Sequence, residues 1–394
     1  MQSLPINANV FFEECNQIPI VHTNDIGFDA DDYWAQYLIA RTERLFSVVT
    51  TLYKPDEKAA ISRTFIRNLH ENGLIPGDPS KIDQLCERVF QGAGHYEEPA
   101  WDEDTKRKQF QERYPRWPIN IFGDPGAPND PKTYKCVYPY QLEAFREEKL
   151  QLAAGSQLQS FIELLQDIDH QVIITATGPL TSEAELLRQV PDLMKEKVKA
   201  IFMMNGTFLN PPRMGYNGVL NLKDTETVLN SGIPCIIVPS EICTKFNFPL
   251  ETVEKLRNEE LGPFGKKMMN VLMNWELHRA RKKNPDQDPS ELKISAPILA
   301  DPLTAIIAIH PEWIDTMRPV RYQFDDSDPT IHMLHPDAKS LVRVVDDPES
   351  GVFEVRSLKN PEAIQSTLEK LIIELFPKAA RDMSSPNTKN SSRM

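Results

Sequence analysis

The sequence predicts an α/β fold, a mostly parallel open sheet with helices on both faces. Two observations carry this expectation. Short apolar runs rich in β-branched residues recur along the chain, and segments of helical periodicity follow them. Repeated strand–helix units imply a mostly parallel sheet with helices on both faces. No internal repeat is evident.

Taken in order, Ile20 and Val21 open a first strand, and the glycine and acids after them read as a loop. A helix begins near Asp31 and runs through Tyr33, Trp34, Tyr37 and Leu38. Residues 45–52 form a β-branched strand, and 55–72 a helix with Pro55 at its start and Gly73 at its stop. Residues 94–140 then break the pattern. They are rich in Pro, Trp, Tyr and charge and read as a long irregular insertion, the kind of segment that serves as a lid or stays disordered. Order resumes with a helix over 157–168 and a strand over 171–177, after which Gly178-Pro179-Leu180-Thr181 turns into a helix. A strand over 200–204 ends at Asn205-Gly206. The helix 224–230 stops at Gly232 and a buried strand covers 233–238. Helices follow across 250–282 and 301–309, with a last amphipathic helix over 360–376. Residues 377–394, rich in Ser, Asn and Lys, read as a disordered tail. The expected organisation is one domain over 1–376, interrupted by the insertion, and then the tail.

Composition excludes several classes of function. Over 394 residues, 40% hydrophobic and 26% charged content is ordinary for a globular protein with a full core. A net charge of −13 argues against nucleic acid as a partner, because phosphate binding needs a basic face. No apolar run approaches the ~20 residues that span a bilayer, so no membrane partner is expected. The N-terminal residues lack the basic start and apolar core of a signal peptide. The 5 cysteines are widely spaced with no CxxC pair, which suits a reducing compartment. A cytoplasmic location is the expectation.

The segment Asp25-Ile26-Gly27-Phe28-Asp29-Ala30-Asp31-Asp32 places four carboxylates within eight residues at the end of the first strand. Charges this close repel unless a cation sits among them, and hard oxygen-coordinated ions such as Ca²⁺ or Mg²⁺ fill that role. In open α/β sheets ligands collect at the carboxyl ends of strands. The alternative is a solvated acidic loop that caps the helix beginning at Asp31. His22 and His310 read as structural, and Arg279-Ala280-Arg281-Lys282-Lys283 as a solvated helix end.

Three blocks in order resemble the inosine-uridine-preferring nucleoside hydrolases: the acidic run 25–32, Ala176-Thr177-Gly178-Pro179-Leu180-Thr181 with the following 199–206 strand end, and Asp301-Pro302-Leu303-Thr304 opening a helix. The resemblance covers about 17–376 apart from the insertion. It implies a Rossmann-related, nucleoside hydrolase-like fold and one Ca²⁺ at the floor of a pocket. By that resemblance Asp25, Asp32, Asp301 and the carbonyl of Thr177 hold the metal, Asp25 is also the base toward the attacking water, and Asp31 accepts a ribose hydroxyl. Asn205, Asn217 and Asn221 stand as further substrate-binding candidates. Relatives assemble as dimers or tetramers, so a homodimer or homotetramer is implied.

The sequence also departs from the family pattern. Ala300 stands where relatives usually place a His that helps protonate the leaving base, and Thr23 where they usually place an acid. The metal shell is retained and the leaving-group machinery is altered. Two functions follow: a metal-dependent N-ribohydrolase that cleaves a ribonucleoside to base and ribose, or a catalytically weakened member that binds a nucleoside-like ligand or a protein partner.

Overall fold

Side chains alternate between the two faces of a strand, so each buried strand feeds two apolar layers. In the computed structural model the described residues are 8–27, 30–51, 55–93, 157–206, 214–215, 217–218, 222–283, 287, 291–324 and 342–379. The expected insertion, 94–140, lies outside them, as does 380–394 of the expected tail.

The described helices are α1 (Ala8–Cys15), α2 (Asp31–Ala40), α3 (Pro55–Glu71), α4 (Pro79–Glu87), α5 (Leu158–Asp167), α6 (Thr181–Gln189), α7 (Pro191–Lys197), α8 (Leu222–Leu229), α9 (Ser240–Cys243), α10 (Leu250–Arg257), α11 (Pro263–Lys283), α12 (Ala300–Ile309) and α13 (Pro361–Ile373). The strands are β1 (Ile20–Asn24), β2 (Leu45–Thr50), β3 (Val89–Gln91), β4 (Val172–Ala176), β5 (Val198–Met204), β6 (Cys235–Val238), β7 (Ile314–Phe324), β8 (Val342–Asp346) and β9 (Val352–Leu358). They form one sheet in the order β3-β2-β1-β4-β5-β6-β9-β7-β8. Pairing is parallel from β3 through to β9, and β7 and β8 extend that end antiparallel.

The two layers follow from this alternation. Ile20, Ile173, Ala200 and Phe202 pack with α2, α3, α12 and α13 on one face. Val21, Ile174, Ile201 and Met203 pack with α5, α6, α7 and α8 on the other. Gly73 ends the α3 segment at φ +66° and Gly232 the α8 segment at φ +82°, the left-handed conformation that stops a helix without steric cost. No helix among the described residues is long and apolar enough to cross a membrane.

Four features depart from the reading of the sequence. The expected elements do not include α1, or α4 leading into β3. The stretch from 314 to 358 folds as β7, β8 and β9, and Pro319 is tolerated because it sits where β7 leaves β9 and begins to pair β8. The helical region 250–282 is two helices, broken at residues 258–262. Finally, Pro377–Ala379 are not tail-like, since Gly262 donates to the Pro377 carbonyl (2.8 Å) and Ala379 to that of Glu260 (2.9 Å).

Arg44, in the turn between α2 and β2, ties three elements together. Its Nη2 donates to the carbonyls of Cys15 (2.6 Å) and Ile18 (2.8 Å), and its Nη1 to that of Ile309 at the end of α12 (2.9 Å). Removing it strips charged donors from three carbonyls. Arg44→Met is expected to lower unfolding stability by about 2–4 kcal/mol, measured by urea titration. A loss below about 0.5 kcal/mol would mean that water replaces the guanidinium.

Candidate active site

The strand order reverses at β1, which has β2 on one side and β4 on the other. In a doubly wound sheet the crevice at such a reversal is where ligands bind. The carboxyl ends of β1 and β4 deliver Asp25 and Thr177 to this point.

The approach of the two strand ends is close. A Cβ on Gly178 would lie 2.9 Å from Asp25 Oδ1 and 3.1 Å from its backbone nitrogen, so only glycine fits. Lys58 in α3, itself buried, donates from Nζ to the Asp25 carbonyl (2.8 Å). Burial pushes the Asp25 carboxyl above its usual range, and the nearby Lys58 charge pulls the other way.

Asp31 and Asp32 occupy the first turn of α2, and Asp301 the first turn of α12. Helix N-termini favour negative charge, which offsets part of the cost of placing acids there. The two N-termini meet, with the Asp301 amide nitrogen 3.5 Å from Asp31 Oδ2. Asp32 is buried, and its Oδ1 lies 3.5 Å from Thr177 Oγ1. The sequence-predicted residues are thus linked pairwise around one corner. Their donors are all oxygen, the chemistry a Ca²⁺ site requires. Among the described residues, no group of three or more His, Cys, Asp or Glu side chains is gathered on one point to hold a metal ion.

The asparagines divide. Asn217 Nδ2 donates to the Thr177 carbonyl (2.6 Å) and to that of Met204 (3.3 Å), bridging the ends of β4 and β5. The Thr177 oxygen keeps a second lone pair for another partner. Asn205 braces a loop, its Oδ1 accepting from the amides of Gly206 (2.8 Å) and Gly215 (3.2 Å). Asn221 and the fourth acid of the run, Asp29, lie outside the described residues.

The sequence reading missed two parts of this region. The first is a cavity of about 260 Å³ beside the α2 and α12 N-termini, whose lining includes Asp31, Trp34, Trp275, Glu276, Arg279 and Ala300. Arg279, read as a solvated helix end, lines the cavity and donates from Nη1 to Glu276 Oε1 (2.8 Å). The signal was the spacing of Trp275 and Arg279, which puts both on one face of α11. The second is Glu183, fully buried in α6, whose Oε1 accepts from Thr23 Oγ1. A carboxylate from the helix therefore reaches the place in β1 where Thr23 stands. Burial raises the Glu183 pKa to about 7. His22 is structural as expected: burial lowers its pKa to about 4, and Nδ1 pairs with the Thr175 carbonyl (3.2 Å). His310 caps α12 and stacks on Trp313 with centroids 4.5 Å apart.

An open α/β sheet with carboxylates at its switch point is an architecture that places ligands at strand ends. Within it, residues 20–353 match the model of the inosine-uridine preferring nucleoside hydrolases, and the chain belongs to that family. It is 23% identical over 178 residues to the pyrimidine-specific ribonucleoside hydrolase RihA of Enterobacter sp. (strain 638), a match covering 44% of this chain and 53% of that protein. The chain therefore spans about half the length of that curated relative. Its fold resembles the inosine-uridine preferring nucleoside hydrolase of Bacillus anthracis at TM-score 0.57 and 13% identity, covering 91% of this chain and 100% of that one. It also resembles the purine-preferring ribonucleoside hydrolase of Gardnerella vaginalis at TM-score 0.55 and 13% identity, covering 90% and 99%.

The Glu183 carboxyl binds its proton more tightly folded than unfolded, so ionising it costs stability. Relative to Glu183→Gln, the native chain is expected to lose stability as pH rises from about 4.5 to about 7. The loss should be of order 3 kcal/mol, read from denaturant melts of both proteins across that window. A flat difference would refute the assignment.

Proposed function

We propose that this protein is a metal-dependent N-ribohydrolase that cleaves the N-glycosidic bond of a ribonucleoside to free base and ribose. The observation that carries this reading is the arrangement of Asp25, Asp31, Asp32, Asp301 and Thr177 around one switch-point corner beside a cavity. The family match supports it, as does the likeness to a pyrimidine-specific ribonucleoside hydrolase.

Asp25 takes the proton of the attacking water. A positioned carboxylate can fill that general-base role. Asp31, in the cavity wall, accepts a hydrogen bond from a ribose hydroxyl. Asp25, Asp32, Asp301 and the Thr177 carbonyl are not gathered on one point here and would have to draw together to hold a Ca²⁺, which would then supply a lowered pKa to a water beside it. Asn217 fixes the Thr177 carbonyl in place. The surrounding carboxylates favour the positive charge that builds on the ribose ring as the bond to the base breaks.

The test is ribose release from a panel of nucleosides, with and without chelator, beside Asp25→Asn. Ribose should appear, chelator should stop it, and Asp25→Asn should slow it by at least about 10²-fold without a change in melting. If no nucleoside yields ribose in the presence of Ca²⁺, the reading fails.

A further inference from the structure

The antiparallel end of the sheet sends one polar side chain back to the rim of the site. Tyr322 of β7 is buried, and its hydroxyl donates to Glu354 Oε1 on β9 at 2.6 Å. Glu354 is fully buried, and its other oxygen accepts from Arg356 Nη2 at 2.7 Å. With both oxygens partnered, Glu354 is held in one orientation, and the Tyr322 hydroxyl is held with it. Burial also pushes the Tyr322 pKa up, so the hydroxyl keeps its proton and stays a donor. The layer around this pair is apolar, with Val320, Val342 and Val352 in it. An apolar side chain would fill it without the cost of burying a carboxyl group.

The hydroxyl stands against Gly206, just beyond the end of β5. A Cβ at that position would meet Tyr322 Oη at 2.7 Å and Ile237 Cγ2 at 3.2 Å. Gly206 also has φ +72°, so a side chain is disfavoured on two counts. From Gly206 the contact passes to two parts of the site. Its carbonyl accepts from the Ser240 amide (3.1 Å) and from Ser240 Oγ (3.3 Å), which ties down the start of α9. Its amide donates to Asn205 Oδ1. Ser240, Cys243 and Thr244 stand in the cavity wall together with Asp31 and Trp34 of α2. Asp25 and Thr177 are carried by β1 and β4, on the other side of β5 from these contacts.

We propose that Tyr322, held by Glu354, is a positioning residue for substrate affinity: it sets where the end of β5 and the start of α9 stand, and so the width of the cavity. The substrate in this statement rests on the N-ribohydrolase reading above. The strand order divides the labour. The antiparallel end shapes the wall that receives the nucleoside, and β1 and β4 carry the groups assigned to the attack on it. Removing the hydroxyl should therefore weaken binding and spare the chemical step.

The experiment measures kcat and KM for inosine and uridine on the full chain with Ca²⁺, beside iodoacetamide labelling of individual cysteines read by peptide mass. Tyr322→Phe should raise KM by at least about tenfold, because small misplacements in a site are costly, and leave kcat within about threefold. Gly206→Ala should raise KM as well. The double variant should cost less than the product of the two singles, since loss of the hydroxyl makes room for the methyl group. Without ligand, Tyr322→Phe should speed labelling of Cys243, buried in α9, by at least about tenfold and leave Cys15, Cys86 and Cys235 unchanged. Faster labelling of all these cysteines means general loosening and overturns the inference. So does a fall in kcat at unchanged KM, strict additivity in the double variant, or native behaviour of Tyr322→Phe in both assays. Should Tyr322→Phe not fold, Gly206→Ala displaces the same wall from the other side and is judged by the same two readouts. If the native chain cleaves no nucleoside, the hydrolase reading fails and the Cys243 rate alone decides the inference.

Discussion

Beyond the last paired residues of β1 and β4 the chain is crowded at residue 178, where a Cβ would lie 2.8 Å from Thr51 Cγ2, 2.9 Å from Asp25 Oδ1 and 3.1 Å from the Asp25 amide nitrogen. Everything at the candidate site is referred to that contact. It sets the height of Asp25 against Thr177, and the start of α6 follows from it within three residues. Behind the contact lies a buried polar network. Asn24 donates to Gln36 Oε1 (3.1 Å), which also accepts from Ser62 Oγ (2.9 Å), while Gln36 donates to the Ser62 carbonyl (3.3 Å). This buried network joins β1 to α2 and α3. Its bonds hold these elements together, while Asn24 Oδ1 has no hydrogen-bond partner among the described residues.

The electrostatics at this corner combine opposed effects. Helix N-termini lower the cost of the acids on α2 and α12. Burial raises the cost at Asp25 and Glu183, and Lys58 and Thr23 recover part of it. Glu183 serves no evident need of the apolar layer in which it sits. Its bond to Thr23 brings a carboxyl group from a helix beside the strand end.

The central parallel strands were legible because continuous apolar runs such as Ile173-Ile174 and Ile236-Ile237 leave no second interpretation once length is considered. The antiparallel end was not. Arg318, Pro319 and Arg321 interrupt the apolar run of β7, which is held by its pairing to the next two strands, β8 and β9. At the site, Asp25, Asp31, Asp32, Thr177 and Asp301 stood out because strand ends and helix starts concentrate functional groups. Trp275, Glu276 and Arg279 were hidden inside a long helix of mixed charge, where the face turned to a cavity looks like any other. Glu183 reads in one dimension as a solvent-facing helical acid, and only packing against β1 reveals it as buried. Arg44 offered no sign that one side chain would close three carbonyls.

The meeting of Asp31 with the Asp301 amide joins residues 270 positions apart. Closing so long a loop defers the reward for ordering the chain, so topologies rich in such contacts fold slowly. As the chain emerges from the ribosome, the acidic loop after β1 exists long before the helix that completes its surroundings has been made. Until then its acids face water without α12 beside them. The corner is therefore among the last parts of the molecule to form and is absent from any fragment that stops short of α12.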